Sequence, residues 1–336
     1  MTDSPSFVVV GAGRMGRGIA LAYALRGHPI VLVDLKPRSV EERDRLDADI
    51  QRELRGNQGR LSQLGLVVPD RAEGEGPGVS IVHSEDAAGV LTRAELVYEA
   101  VPETEAAKRD ALDAIGRHAR PDTLIASTTS TMLASELASM VGRPERFLNA
   151  HWLNPAFVVP LVEISAHPGT SDEAVAWLRG HLVSIGKVPV VCGPHPGYIV
   201  PRLQALIMNE AARMVDEGVA SAEDIDRATR YGLGFRFANM GVLEFVDYGG
   251  NDILYQASEY LARTVDPYRY EVPEIVSRFM ESGRNGLRDG RGFHEYPPDM
   301  QDAYRADVLA RLVGMSRHLG LISTPIDGGA DGDVPV

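Results

Sequence analysis

Phe7-Val8-Val9-Val10-Gly11-Ala12-Gly13-Arg14-Met15-Gly16 is the stretch on which the fold turns. Four apolar residues in succession, without polar alternation, describe a strand buried on both faces. A G-x-G-x-x-G run follows at once and opens a helical stretch, Gly13 to Arg26, with Ile19, Ala20, Tyr23 and Ala24 on one side. Strand, glycine turn and helix in this order are the context in which the motif binds a dinucleotide. Gly11 permits the tight turn, Gly13 leaves room for a pyrophosphate, and Gly16 allows close packing of helix on strand. Met15, inside the motif, joins the cofactor-binding set. The diphosphate then faces unpaired N–H groups at the positive end of the helix dipole. Asp34 ends the next apolar run, Ile30–Val33, 18 residues after Gly16. A carboxylate there accepts the adenosine ribose hydroxyls and repels a 2′-phosphate, which selects NAD over NADP. Lys36 and Arg38, close by, weaken that preference.

Outward from this unit, short β-rich runs alternate with helical stretches. The strand candidates are Val79–Val82, Leu96–Glu99, Thr123–Ser127, Phe147–Ala150, Val159–Ile164 and Val188–Val191, and the helices between them include Arg38–Leu64, Glu105–His118 and Asp172–Ile185. A Gly/Pro-rich loop, Glu73–Gly78, precedes the first of these strands. The rhythm predicts an α/β fold, a Rossmann-type doubly wound sheet that is mostly parallel. At Gly193-Pro194-His195-Pro196-Gly197 the pattern changes, and such a segment suits a hinge. Beyond it the helices are Tyr198–Glu217, Ala222–Tyr231, Ile253–Val265, Pro273–Glu281 and Met300–Leu319. The expected organisation is a cofactor domain over 1–193, an all-helical substrate and dimerisation domain over 194–325, and a flexible tail over 326–336.

The chain has 336 residues, a 44% hydrophobic share and a formal net charge of −13. This length suits about two domains. The acidic balance argues against a nucleic-acid partner, which needs a basic face. Cys192 is the single cysteine, so neither an internal disulfide nor a thiolate metal cluster is possible, and no metal is expected. The short polar N-terminus and the lack of a long apolar run fit a soluble, cytoplasmic protein without membrane contact.

His151 follows one strand candidate, on the side of an α/β sheet where ligands bind. A histidine can take an alcohol proton near neutral pH. Glu163 ends another apolar run and could fix the imidazole's tautomer, although spacing alone favours a capping histidine and a surface glutamate. At these residues the sequence resembles the short-chain L-3-hydroxyacyl-CoA dehydrogenases and their relative lambda-crystallin, an L-gulonate 3-dehydrogenase, over nearly the whole chain. Gly11–Ala20 is close to G-x-G-x-M-G-x-G-I-A, and Glu99-Ala100-Val101-Pro102-Glu103, with Lys108 following, resembles E-A-V-x-E. Ser127–Thr131 resembles S-N-T-S-S, His151–Pro155 resembles H-x-x-N-P, and Leu161-Val162-Glu163 matches L-V-E. Gly197-Tyr198-Ile199-Val200 resembles the opening of G-F-I-x-N-R, and Gly290–Phe293 resembles G-K-G-F.

The resemblance implies an NAD-dependent oxidation of an (S)-3-hydroxyacyl-CoA in fatty acid metabolism. His151 becomes the general acid/base, Glu163 its partner, Ser130 a hydrogen-bond donor to the reacting oxygen, and Asn154 a neighbour of nicotinamide and substrate. Glu103 and Lys108 fall near the nicotinamide ribose. Relatives pair through the helical domain, so a homodimer is expected, with Phe235, Phe237, Phe245, Tyr248 and Tyr255 as an aromatic-rich stretch there. Thr128 and Pro201 depart from the pattern, each standing where Asn is usual, and the loss at Pro201 bears on substrate recognition. Gly232–Phe237 is closer to lambda-crystallin's G-L-G-M-R-Y. Arg236 could clamp a carboxylate, and Asn239 adds a polar group for the same task. A free 3-hydroxy acid is therefore the alternative substrate, and a non-catalytic structural role a distant third. Arg52, Arg55 and Arg60 would be candidates for a CoA 3′-phosphate, but their acidic neighbours favour a solvated helix face.

Overall fold

The structure, a computed structural model, describes residues 6–66 and 78–322. Most of the expected 73–78 loop and the expected tail lie outside these residues. The chain divides into two compact units after Met208, so the Gly193–Gly197 turn lies inside the first.

The first unit is built on an eight-stranded sheet: β1 (Ser6–Val10), β2 (Ile30–Asp34), β3 (Val79–His83), β4 (Ala94–Glu99), β5 (Leu124–Ser127), β6 (Phe147–Trp152), β7 (Leu161–Ser165) and β8 (Val188–Cys192). Their order is β3-β2-β1-β4-β5-β6-β7-β8. All pairs are parallel except β6 with β7, which runs antiparallel with His151 opposite Glu163. The helices are α1 (Arg14–Ala24), α2 (Val40–Gln63), α3 (Ala87–Leu91), α4 (Glu105–His118), α5 (Ala134–Ala138), α6 (Asp172–Ser184) and α7 (Val200–Asp216), the last of which runs on past the unit boundary.

Strand alternation separates two cores. Phe7 and Val9 pack with Ile19, Tyr23, Leu54, Leu178 and Leu182 on one face, whereas Val8 and Val10 pack with Leu91, Leu112, Ile115 and Leu137 on the other. Each such side chain, fully withdrawn from water, contributes about 1.5–3 kcal/mol relative to exposure.

Three boundaries differ from the sequence reading for identifiable reasons. The helix α2 begins at Val40 rather than Arg38, because Ser39 accepts the Glu42 N–H at 3.3 Å while Glu42 reaches back to the Ser39 N–H at 2.8 Å. The strand at 147 extends through His151 and Trp152 instead of stopping at Ala150, because β7 pairs with it there. β7 itself starts at Leu161, past Pro160, which has no N–H to give to a ladder.

The second unit is helical: α8 (Ala222–Ala228), α9 (Phe235–Phe237), α10 (Val242–Gly249), α11 (Asn251–Thr264), α12 (Glu274–Glu281) and α13 (Gln301–His318). The expected Ala222–Tyr231 helix stops at Ala228 and passes into a π-helical turn, Thr229–Gly234. The Gly290–Phe293 stretch wraps Asp247, which is 1% exposed and accepts the Phe293 and His294 N–H groups at 2.8 Å each. A Cβ on Gly292 would lie 1.9 Å from the Asp247 carboxylate, so glycine is required there by packing. Among the described residues no helix is long and apolar enough to cross a membrane, and no group of His, Cys, Asp and Glu is arranged to hold a metal ion.

Candidate active site

The turn after β1 is closed by backbone contact. Gly11 has φ +119°, and a Cβ on it would meet the Ala100 carbonyl oxygen at 2.4 Å. A Cβ on Gly16 would lie 1.9 Å from the Gly11 carbonyl oxygen. Gly13, by contrast, faces open space, with nothing within 4 Å of where a Cβ would stand. That space belongs to a cleft of 460 Å³ lined by Gly11, Gly13, Met15, Asp34, Arg38 and Pro102, among others. A bare backbone facing an open cleft at the start of an 11-residue helix fits a dinucleotide diphosphate. At the cleft's far end the Asp34 carboxylate is buried and receives the Arg38 guanidinium on Oδ2. Arg38, one of the two cations whose influence the sequence left open, thus comes as Asp34's own partner.

Arg14 lines this cleft and also a neighbouring one of 330 Å³ bounded by Asn57, Asn154 and Phe157. Asn154 is exposed there. Arg17, on the same wall, is taken up by Asp49 at 2.9 Å, Glu53 at 2.5 Å and the Ala12 carbonyl at 2.9 Å. Arg52 and Arg60 are likewise engaged on α2, by Asp49 and Asn57.

The antiparallel register places His151 and Glu163 on one face of the sheet, and the imidazole Nδ1 lies 2.8 Å from Glu163 Oε2. A carboxylate only accepts, so Nδ1–H is the donor and Nε2 keeps its lone pair. Glu163 Oε1 accepts the Ile199 and Val200 N–H groups, each at 2.9 Å, at the N-terminus of α7. Burial by itself would push this carboxyl up. The His151 hydrogen bond and the two backbone donors more than reverse it, and hold the carboxyl below its usual range. Pro201 stands in the first turn of α7, where a missing N–H leaves no helical bond unmade.

Ser130 leaves the sheet two strands from Glu163. β5 ends with Ser127 paired to Asn149, so the Ser130 loop and His151 rise from neighbouring strand ends. The loop is gripped by Glu103. Its Oε1 accepts the Ser130 N–H at 3.0 Å, the Thr131 N–H at 3.1 Å, the Thr131 hydroxyl at 2.9 Å and the Thr129 hydroxyl. Partial burial raises the Glu103 carboxyl, but these donors and Lys108 outweigh it and bring it down to about 2.

Lys108 is fully buried. Its ammonium lies 3.1 Å from both Glu99 oxygens and 3.2 Å from Glu103. Glu99, equally buried, also accepts Ser127 Oγ at 2.5 Å and the Val101 N–H at 2.9 Å. The geometry therefore makes Lys108 a brace between two carboxylates. Glu99 was quoted in the sequence as part of a motif, yet its burial and its partners depend on pairing across β4 and β5, which no local pattern displays. Arg236 and Asn239 lie in the second unit and are bonded within it: Arg236 to the Gly232 carbonyl and over the Phe245 ring at 4.5 Å, Asn239 to the Phe235 carbonyl at 2.7 Å.

Comparison with known proteins identifies the family. Residues 6–195 match the model for the 3-hydroxyacyl-CoA dehydrogenase NAD binding domain, and residues 197–296 match that for the 3-hydroxyacyl-CoA dehydrogenase C-terminal domain. A 5-formyl-3-hydroxy-2-methylpyridine 4-carboxylate 5-dehydrogenase of Mesorhizobium japonicum is 29% identical over 94% of this chain and 98% of its own. The human mitochondrial hydroxyacyl-coenzyme A dehydrogenase is 31% identical over 86% of this chain and 90% of its own. A crystal structure of a 3-hydroxyacyl-CoA dehydrogenase from Archaeoglobus fulgidus superposes with a TM-score of 0.73 at 32% identity, covering 95% of this chain and all of that one.

Proposed function

The chain belongs to the 3-hydroxyacyl-CoA dehydrogenase family, and from that premise we propose that it oxidises an (S)-3-hydroxyacyl-CoA to the 3-oxoacyl-CoA, reversibly, through His151 and Glu163. The observation that carries the reading is the 2.8 Å His151–Glu163 pair, which leaves Nε2 as a free base. Gly11, Gly13, Met15, Gly16, Asp34 and Glu103 would hold NAD, which when bound supplies the two-electron acceptor. His151 Nε2 takes the hydroxyl proton while C3 gives up its hydride, and the C–O bond becomes a carbonyl. Glu163 stabilises the imidazolium so formed, and Ser130 Oγ donates to the reacting oxygen. In the reverse direction the imidazolium returns its proton. Asn154, which lines a cleft with Arg14, would face nicotinamide and substrate, as the family resemblance implies.

The test is a panel of (S)-3-hydroxyacyl-CoAs beside free 3-hydroxy acids, followed by NADH absorbance. The thioesters should give the higher kcat/KM. The free acids are included because the Mesorhizobium relative is named for a pyridine carboxylate and because Pro201 offers no side-chain donor. A preference for free acids would move the assignment to the alternative substrate class.

The same family premise supports a homodimer formed through the helical unit, where Leu243, Tyr260 and Leu309 are 48%, 57% and 61% exposed. A closed two-fold pair would cover such residues. Sedimentation at micromolar concentration should give twice the 36.4 kDa chain mass, and a monomer mass would reject the pairing. Acyl-CoA oxidation of this kind belongs to fatty acid metabolism, and the lone cysteine suits a reducing cytoplasm.

A further inference from the structure

The segment Gly197-Tyr198-Ile199-Val200, read from the sequence as the far side of a hinge, collects three parts of the site at once. Its two backbone N–H groups at Ile199 and Val200 hold Glu163. The Tyr198 ring lies stacked on the His151 imidazole, with centroids 4.7 Å apart and planes 14° from parallel. The Tyr198 hydroxyl donates to the Thr129 carbonyl at 2.8 Å and accepts the Asn149 amide N–H at 3.0 Å. Thr129 is the residue immediately before Ser130. Tyr198 is 8% exposed, and among the described residues it is the single non-glycine with positive φ, at +47°. A side chain with a Cβ adopts that conformation only where its surroundings over-determine it. Here the surroundings are the base, its carboxylate partner and the serine loop.

We propose that Tyr198 is a positioning residue of the dehydrogenase reaction, its ring fixing the plane of His151 and its hydroxyl fixing the Ser130 loop at a set distance from that plane. The inference rests on the assignment of His151, Glu163 and Ser130 to the chemistry. A phenylalanine would keep the stack and lose the tether, because the hydroxyl makes the bond to Thr129. Burial keeps the phenol protonated well beyond its usual range, so the donor persists across the working pH. The two functions of the side chain are therefore separable by substitution.

The experiment is a double-mutant cycle with Tyr198→Phe, Ser130→Ala and their combination, read as kcat and KM on (S)-3-hydroxybutyryl-CoA, with NADH affinity measured by fluorescence. Tyr198→Phe should lower kcat roughly 3- to 10-fold, the range for one lost hydrogen bond, and leave NADH affinity unchanged. In the Ser130→Ala background the same change should have almost no further effect, because the loop then carries no group to be positioned. Tyr198→Leu, which also removes the stack, should still lower kcat in that background through His151. Thermal melting of each variant shows that it is folded. Multiplying effects of Tyr198→Phe and Ser130→Ala, or a Tyr198→Phe enzyme with unchanged kcat, would overturn the proposal. Activity retained in His151→Ala would instead overturn the assignment on which it rests, so the two failures are distinct.

Discussion

His151 and Glu163 stand directly opposite each other in the antiparallel β6–β7 pair, with Nδ1 2.8 Å from Oε2. The strand register, more than the loops, sets this distance, and the N-terminus of α7 holds the other carboxylate oxygen. In Glu163→Gln the amide can still hydrogen-bond, but the imidazolium loses its counter-charge. We expect kcat to fall by about 10²-fold or more, while NADH affinity is kept. Equal loss of kcat and NADH affinity would indicate that Glu163 supports the cofactor cleft instead.

The glycine turn gives a contrast between two neighbouring positions. Gly16→Ala would push a Cβ into the Gly11 carbonyl at 1.9 Å, so the helix must move off the strand. A loss of about 2 kcal/mol or more in folding stability is expected. Gly13→Ala meets nothing within 4 Å, so the unliganded protein should melt as the wild type does. It should nevertheless lose most of the rise in melting temperature that NAD produces in the wild type. Thermal scans with and without NAD check both statements.

Asp34 and Arg38 form one ion-paired unit at one end of the cleft, where the proposed function puts the adenosine ribose. Removing the carboxylate in Asp34→Ala takes away a ribose acceptor and frees a guanidinium for a 2′-phosphate. The ratio of kcat/KM for NAD to that for NADP should fall roughly 10- to 100-fold, the scale of a charge-assisted hydrogen bond. An unchanged ratio would show that the pair takes no part in cofactor choice.

Glu103 carries a pH signature. Its carboxyl is lowered from 4.5 to about 2 in the folded chain, so the folded state binds that proton less readily than the unfolded one. Its stabilising contribution is complete above pH 4.5 and is lost as pH falls from there towards 2. With the side chain 38% exposed, solvent screening reduces this to about 1 kcal/mol. Urea unfolding of wild type and Glu103→Gln across that window should give converging stabilities as the pH drops. A constant gap would place the effect of the substitution elsewhere.

Lys108, between Glu99 and Glu103, is a buried charge whose removal leaves another unpaired. Lys108→Met should destabilise the chain by about 3–5 kcal/mol, and adding Glu99→Gln should recover part of that loss. Denaturant midpoints of the single and double variants measure it.

Much of this was legible along the chain because the information is local. The apolar run Phe7–Val10, the glycine spacing and Asp34 each act through neighbours in sequence; the run is buried in the two cores, and Gly11, Gly13 and Asp34 line one cleft. His151 and Glu163 are joined in the sequence by the family resemblance and not by their spacing, since their meeting depends on β6 and β7 running in opposite directions. The brace at Glu99 and Lys108 and the tether at Tyr198 were invisible for the same reason: their partners are 9 to 69 residues away and belong to other elements. Gly193–Gly197 reads as a hinge from composition, but the contacts that Tyr198, Ile199 and Val200 make just beyond it join elements far apart in sequence and leave no local pattern.

The most direct test is the rate of NADH formation from NAD and (S)-3-hydroxybutyryl-CoA by the wild type and by His151→Ala, with NADH affinity measured on both. The wild type should turn over. His151→Ala should fold, bind NADH as tightly, and lose kcat by on the order of 10²–10⁴, the scale of general acid–base help. A His151→Ala enzyme that turns over at the wild-type rate would contradict the assignment of the proton transfer to the β6–β7 pair.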